Sequence, residues 1–236
     1  MMELAPHEPA ILTSTASPKL CLDFRSDQHP TVVSTWRASV LCLDDCGSHF
    51  GFVQSGLARM ATDNGIFELR EGMYFCVPGN LEIRGCGGGF VASRIGYRGF
   101  FQVGGPVEET GRLRYIDGCT DSLLVGPVMK GDPCLNLLYL PPKTHQTAHT
   151  HPSLRVGMIV SGEGLCQTAS TTVPLKPGLV FVIRTGGLHS FHTHAQSLRI
   201  VAWHPDSDFG PTHEQHPMLN RTLVQGRPVN AIGELE

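Results

Sequence analysis

The chain has 236 residues, of which 41% are hydrophobic and only 17% charged, with 27 glycines and 17 prolines. That length can bury one large core or two modest ones, and the abundance of turn residues points to short strands joined by tight connections rather than to long helices. A net charge of −3 with no run of lysine or arginine argues against nucleic-acid and anionic-membrane partners, and no apolar stretch is long enough to span a bilayer.

Residues 1 to about 30 are rich in proline, serine and polar groups and read as an arm that packs on a neighbour or on the wall of the main body. They show no basic patch followed by an apolar run. The eight cysteines are scattered without a Cys-x-x-Cys pair. Both features lead to the expectation of a reduced, soluble, cytoplasmic protein. Strand signals begin at Trp36 and continue through Ala38 to Leu43, Phe50 to Val53, and Leu69 to Gly79, with glycine turns at Gly56 and Gly72. A turn-rich segment from Gly96 to Gly131 carries a candidate strand, Ser122 to Val125.

Leu135 to Leu140 is the first clear strand of the second half, and Pro141 and Pro142 turn it into the stretch from Ala148 to Gly162. In an extended strand alternate side chains share a face, so His149 and His151 point the same way and Arg155 joins them. The next apolar run, Leu175 to His189, lies between glycine turns and ends in a third histidine. His145 shares the parity of His149 and is a candidate fourth ligand or base, whereas His192 and His194 have the wrong parity relative to His189 and belong on the outer face. After Leu198 to Trp203 the apolar pattern fades into a tail.

The two halves repeat. Gly56 and Gly162, Gly72 and Gly178, Gly51 and Gly157, and Phe75 and Phe181 are each separated by 106 residues, and Tyr97 falls on Trp203 at the same offset. At that offset the first-half counterparts of His149, His151, Arg155 and His189 are Leu43, Asp45, His49 and Ile83. Two of these are apolar, which leaves too few donors for a metal in the first half. The first half is expected to be a metal-free structural barrel that covers an open sheet edge of the second.

The paired histidines, the closing Gly162, and Gly178, Gly186 and His189 resemble the two signature motifs of the cupin superfamily. The departures are Arg155 where the family has glutamate, Arg184 where it has proline, Thr193 where it has asparagine and Pro142 where it has glycine. The resemblance implies an all-β fold of two tandem jelly-roll barrels. The corresponding division is an N-terminal arm (1–30), a barrel without metal (31–112), a metal-binding barrel (113–205) and a C-terminal tail (206–236). It also implies a metal held by His149, His151 and His189. Fe(II) is preferred, with Zn, Mn, Ni and Cu chemically admissible because imidazole does not discriminate among them. Members of the superfamily often exchange edge strands, which makes a homodimer an expectation.

Three neutral ligands leave the ion its full charge and open positions, which favours a small anionic substrate. Arg155 cannot ligate a cation. It either grips a substrate carboxylate or turns to pair with an acid on the barrel rim. Three functional readings follow: an Fe(II) oxygenase acting on a small acid; an isomerase, lyase or decarboxylase using the metal as a Lewis acid; and a sensor or storage protein without catalysis.

Overall fold

The structure is a computed structural model, and it describes residues 11–14, 21–214, 216 and 218–231. The first half contains β1 (Ile11–Ser14), β2 (Cys21–Phe24), β3 (Thr31–Arg37), β4 (Leu41–Leu43), β5 (Gly47–Ser55), β6 (Leu57–Thr62), β7 (Gly65–Arg70), β8 (Tyr74–Pro78), β9 (Leu81–Arg84), β10 (Gly88–Ile95) and β11 (Gln102–Gly104). The second contains β12 (Leu113–Arg114), β13 (Thr120–Val125), β14 (Cys134–Leu140), β15 (Arg155–Gly162), β16 (Gly164–Thr168), β17 (Thr172–Leu175), β18 (Val180–Ile183), β19 (His189–His192) and β20 (Leu198–His204). The protein is all-β, with the architecture of two tandem jelly-roll barrels.

The strand orders state the repeat directly. One large sheet runs β11-β8-β5-β10-β3-β2 and the other β1-β18-β15-β20-β14-β13-β12, so β8, β5, β10 and β3 correspond to β18, β15, β20 and β14. Each is faced by a smaller sheet, β4-β9-β6-β7 in the first half and β17-β16-β19 in the second. The arm divides between them: β1 adds to β18 at the edge of the second barrel's sheet, and β2 adds to β3 in the first.

The repeating glycines have a conformational cause. Gly56, Gly72, Gly162 and Gly178 have φ of +70°, +82°, +82° and +83°, values an L side chain rarely adopts. A second repeated feature is steric. A Cβ on Gly157 would lie 2.2 Å from the Phe181 ring, and one on Gly51 would lie 2.1 Å from the Phe75 ring, so each aromatic ring lies directly over the glycine paired with it. We expect Gly157→Val to cost about 1–3 kcal/mol through overpacking. Denaturant unfolding reads this, and Gly51→Val should give a similar loss.

The large sheets are buried on both faces, which is why β15 and β18 read as nearly continuous apolar runs rather than alternating ones. In the second barrel Ile159, Phe181, Ile183, Leu138 and Ile200 fill the interior. The opposite faces of the two large sheets meet, with Phe50, Phe52 and Phe90 packed with Val156, Met158, Val201 and Trp203. Phe50 and Trp203 stand 5.9 Å apart between ring centroids. The expectation that the first barrel covers an edge of the second is therefore corrected: the contact is face to face, because both sheets carry an apolar outer face that must be buried.

Candidate functional site

His149, His151 and His189 converge. Their ring centroids are 5.0 Å (149 to 151), 4.5 Å (149 to 189) and 5.2 Å (151 to 189) apart, and one ligand nitrogen from each lies within 4.8 Å of the others. The carrier is not the regular strand expected from the sequence. Residues 141–154 are irregular apart from two bridges, and β15 begins only at Arg155. The proline pair and the turn at Lys143, where φ is +63°, prevent a continuous ladder. His149 is instead placed by its bridge to His189, each backbone N–H donating to the other's carbonyl.

The ring orientations are set by the backbone. His149 Nδ1 lies 2.8 Å from the Thr147 carbonyl and His189 Nδ1 2.9 Å from the Gly187 carbonyl. Each Nδ1–H donates there, leaving the Nε2 lone pairs free to ligate, which is the usual outer-shell arrangement of a metal-binding histidine. Burial, followed by the charge of Arg155, pushes His151 down to about 2. Burial also pushes His189 down to about 4. Neutral imidazole is the form that binds a metal, and the donor set fits a divalent first-row ion.

Arg155 is largely buried, with 15% of its side chain exposed, and its Nη1 lies 3.4 Å from Asp206 Oδ1. The same Nη1 donates to Ser153 Oγ at 2.5 Å, and Ser153 in turn donates to Asp206. Of the two expectations for Arg155, the ion pair with an acid is present. All its hydrogen bonds run through Nη1, so Nε and Nη2 have no partner among the described residues. The guanidinium still bears electrically on His151, His189 and His204.

Several polar residues of the same barrel escaped the sequence reading. Asp206 comes from the start of the tail. His204 Nδ1 donates to the Asp206 carbonyl at 3.0 Å, and burial pushes this ring down to about 4. Asp121 is paired with Leu138 on the inward face of β13. Its carboxylate accepts from Asn136 Nδ2 at 3.1 and 3.3 Å, and burial pushes it up to about 6. Asn136 Oδ1 is buried without a partner. His204, Asp121 and Asn136 lie on separate strands and Asp206 just past β20, with no motif linking them, so no local signal marks them.

His145 lies elsewhere. It bridges His192, with ring centroids 5.7 Å apart, and stands outside the three-histidine group. Strand parity does not relate His145 to His149, because the segment between them is not a strand. The repeat also needs two corrections. Leu43 pairs with Leu81 as His149 pairs with His189, and Thr62 pairs with Leu81 as Thr168 pairs with His189. The counterpart of His189 is therefore Leu81, not Ile83. Likewise Ala202 faces Gly157 where Val91 faces Gly51, so the 106-residue offset does not extend to Tyr97 and Trp203. Connections of different length follow β8 and β18.

At the counterpart of Arg155, His49 is fully buried, with Nδ1 2.8 Å from Ser93 Oγ and Nε2 3.2 Å from the Asp44 carbonyl. Burial lowers its pKa. Because the native pKa lies below the unfolded value of about 6.5, the unfolded chain takes up this proton first. The stability associated with the neutral ring is therefore full above pH 6.5 and lost as pH falls through and below it. Thermal melts of wild type and His49→Gln should diverge in that acid window, with the variant's melting temperature depending less on pH.

The fold and site together define a three-histidine site for a divalent metal inside the second of two jelly-roll barrels. The family whose model matches is the cupin domain, over residues 136–204, and this part of the chain is a cupin barrel. No curated protein matches the sequence. Among solved structures, the chain is similar to protein Ylba from E. coli, with 19% identity and a TM-score of 0.58, covering 88% of this chain and 87% of that one. It is similar to salicylate 1,2-dioxygenase from Pseudaminobacter salicylatoxidans, with 11% identity and a TM-score of 0.58, covering 79% and 76%. It also resembles a cupin 2 conserved barrel domain protein from Leptotrichia buccalis, with 11% identity and a TM-score of 0.55, covering 85% and 91%. These likenesses establish the fold. No helix among the described residues is long and apolar enough to cross a membrane.

Proposed function

We propose that the C-terminal barrel is the catalytic half of a metal-dependent oxygenase acting on a small carboxylate. The observation that carries this reading is the convergence of three imidazoles, two of which, His149 and His189, have Nδ1 held by a backbone carbonyl and Nε2 free. His149, His151 and His189 would hold the ion, Fe(II) by preference, and when bound it would supply a Lewis-acidic, redox-capable centre with open positions. Arg155, with Nε and Nη2 uncommitted, binds and orients the substrate carboxylate. Asp206 and Ser153 hold the other edge of the guanidinium and so fix its direction. Salicylate 1,2-dioxygenase, named for an oxygen-dependent reaction on an aromatic acid, has this fold and supports the choice of reaction class.

One observation favours a second reading. Asp121, on the inward face of β13 in the same barrel and raised to about 6 by burial, can hold and release a proton near neutral pH, as an isomerase, lyase or decarboxylase with a Lewis-acid metal requires. Oxygen electrode traces separate the two. Protein reconstituted with Fe(II) and offered a panel of small carboxylates, salicylate and gentisate included, should consume oxygen in proportion to substrate. Turnover of an acid without oxygen uptake, abolished by Asp121→Asn, would replace the oxygenase by the Lewis-acid enzyme.

A further inference from the structure

A cavity of about 280 Å³ opens not at the histidines but in the mouth of the first barrel. Its walls include Val32, Leu41, Leu43 and Ile95, with the hydroxyls of Ser34 and Ser93 between them. Leu43 is the counterpart of His149, so this space stands where the second barrel gathers its metal ligands. The first barrel has exchanged donors for hydrocarbon there and has kept the space open. Larger side chains at these positions would close the space.

The hydroxyls inside this cavity are neutral, and the charged residues on its wall, Arg25 and Asp44, are both exposed. Ser34 is 5% exposed, and its hydroxyl has no hydrogen-bond partner among the described residues. Ser93 is engaged with His49 Nδ1. If His49 Nε2–H donates to the Asp44 carbonyl, Nδ1 accepts from Ser93, whose oxygen lone pairs then remain available. Arg25, at the rim, is occupied by Asp23 through both its backbone N–H and its guanidinium. Among the described lining residues a buried anion would find no free cation and would meet the Asp44 carboxylate, whereas an uncharged molecule with one hydroxyl or carbonyl would find apolar walls and a waiting partner.

We propose that the mouth of the N-terminal barrel is a second ligand site, taking a small uncharged alcohol, phenol or ketone with Ser34 as its hydrogen-bonding partner. A cavity of about 150 Å³ holds benzene, so this one accommodates a molecule of about two rings. The free thiols of Cys21, Cys42 and Cys46 line the same mouth and serve as reporters.

Titration calorimetry of the full chain with 2-naphthol as the probe should show one equivalent bound, and 2-naphthoate should bind more weakly. Ser34→Ala, which keeps the space and loses the hydroxyl, should weaken binding about tenfold, the factor carried by one ordinary hydrogen bond. Ser34→Leu fills the interior, Leu43→Trp fills the rim in case the first variant misfolds, and either should abolish binding. His189→Ala should leave it unchanged, which separates this site from the metal centre. Iodoacetamide labelling should be slowed by naphthol at Cys46 and unaffected at the exposed Cys86. The site is refuted by any of four results: no binding of naphthol, tighter binding of naphthoate, binding that survives a folded space-filling variant, or no protection of Cys46.

Discussion

Replacing His189 by alanine is expected to strip the protein of its metal. His189 is 2% exposed, its Nδ1 is held by the Gly187 carbonyl, and a ligand nitrogen of its ring lies within 4.8 Å of one each from His149 and His151. Among the described residues no other donor completes the group, since His145 and His192 pair with each other. Losing an outer-shell partner costs about 10–100-fold in metal affinity, so losing a ligand itself should cost more. Elemental analysis should find close to one ion per chain in the wild type and almost none in the variant. The fold should survive, because the first barrel builds the same sheets with Leu43 and Leu81 at the corresponding positions. A folded variant that still retains a stoichiometric ion would move the metal elsewhere and end the proposed chemistry.

The parts of this molecule that were legible in the sequence are those governed by local constraint. Gly56, Gly72, Gly162 and Gly178 announce the repeat because left-handed turns need glycine. The histidine pair and the third histidine stand out because a donor set with that spacing has few other uses. Arg155 was visible as an oddity, but its partner was not: Asp206 lies 51 positions away in a tail with no pattern, and only the barrel's closure brings the two together. Asp121 and Asn136 were illegible for the same reason. Leu81 was missed in favour of Ile83 because a constant offset ignores a connection of different length, and only strand register exposes the slip. The face-to-face packing of the barrels was hidden because a run apolar on both sides does not say what covers its outer face.

Arg155→Ala is expected to separate binding from metal retention. The guanidinium touches none of the histidine rings by hydrogen bond, so the ion should remain at wild-type stoichiometry. Substrate would lose a charge-assisted contact of about 1.5–3 kcal/mol, which corresponds to KM rising by roughly 10–100-fold. Arg155→Lys should not restore it, because an ammonium cannot serve Asp206 on one edge and a carboxylate on another as a planar guanidinium can. Asp206→Ala provides the complementary measurement. It leaves a guanidinium in a largely buried site without its counter-charge, a change that costs about 3–5 kcal/mol when the pair is fully buried. With 15% and 20% of the two side chains exposed, the loss should fall near the lower end of that range. Denaturant unfolding should therefore rank Asp206→Ala below Arg155→Ala in stability, while steady-state kinetics should rank Arg155→Ala as the poorer binder of substrate. If KM stays at its wild-type value in Arg155→Ala, the arginine belongs to the ion pair alone and the carboxylate must be held by another group.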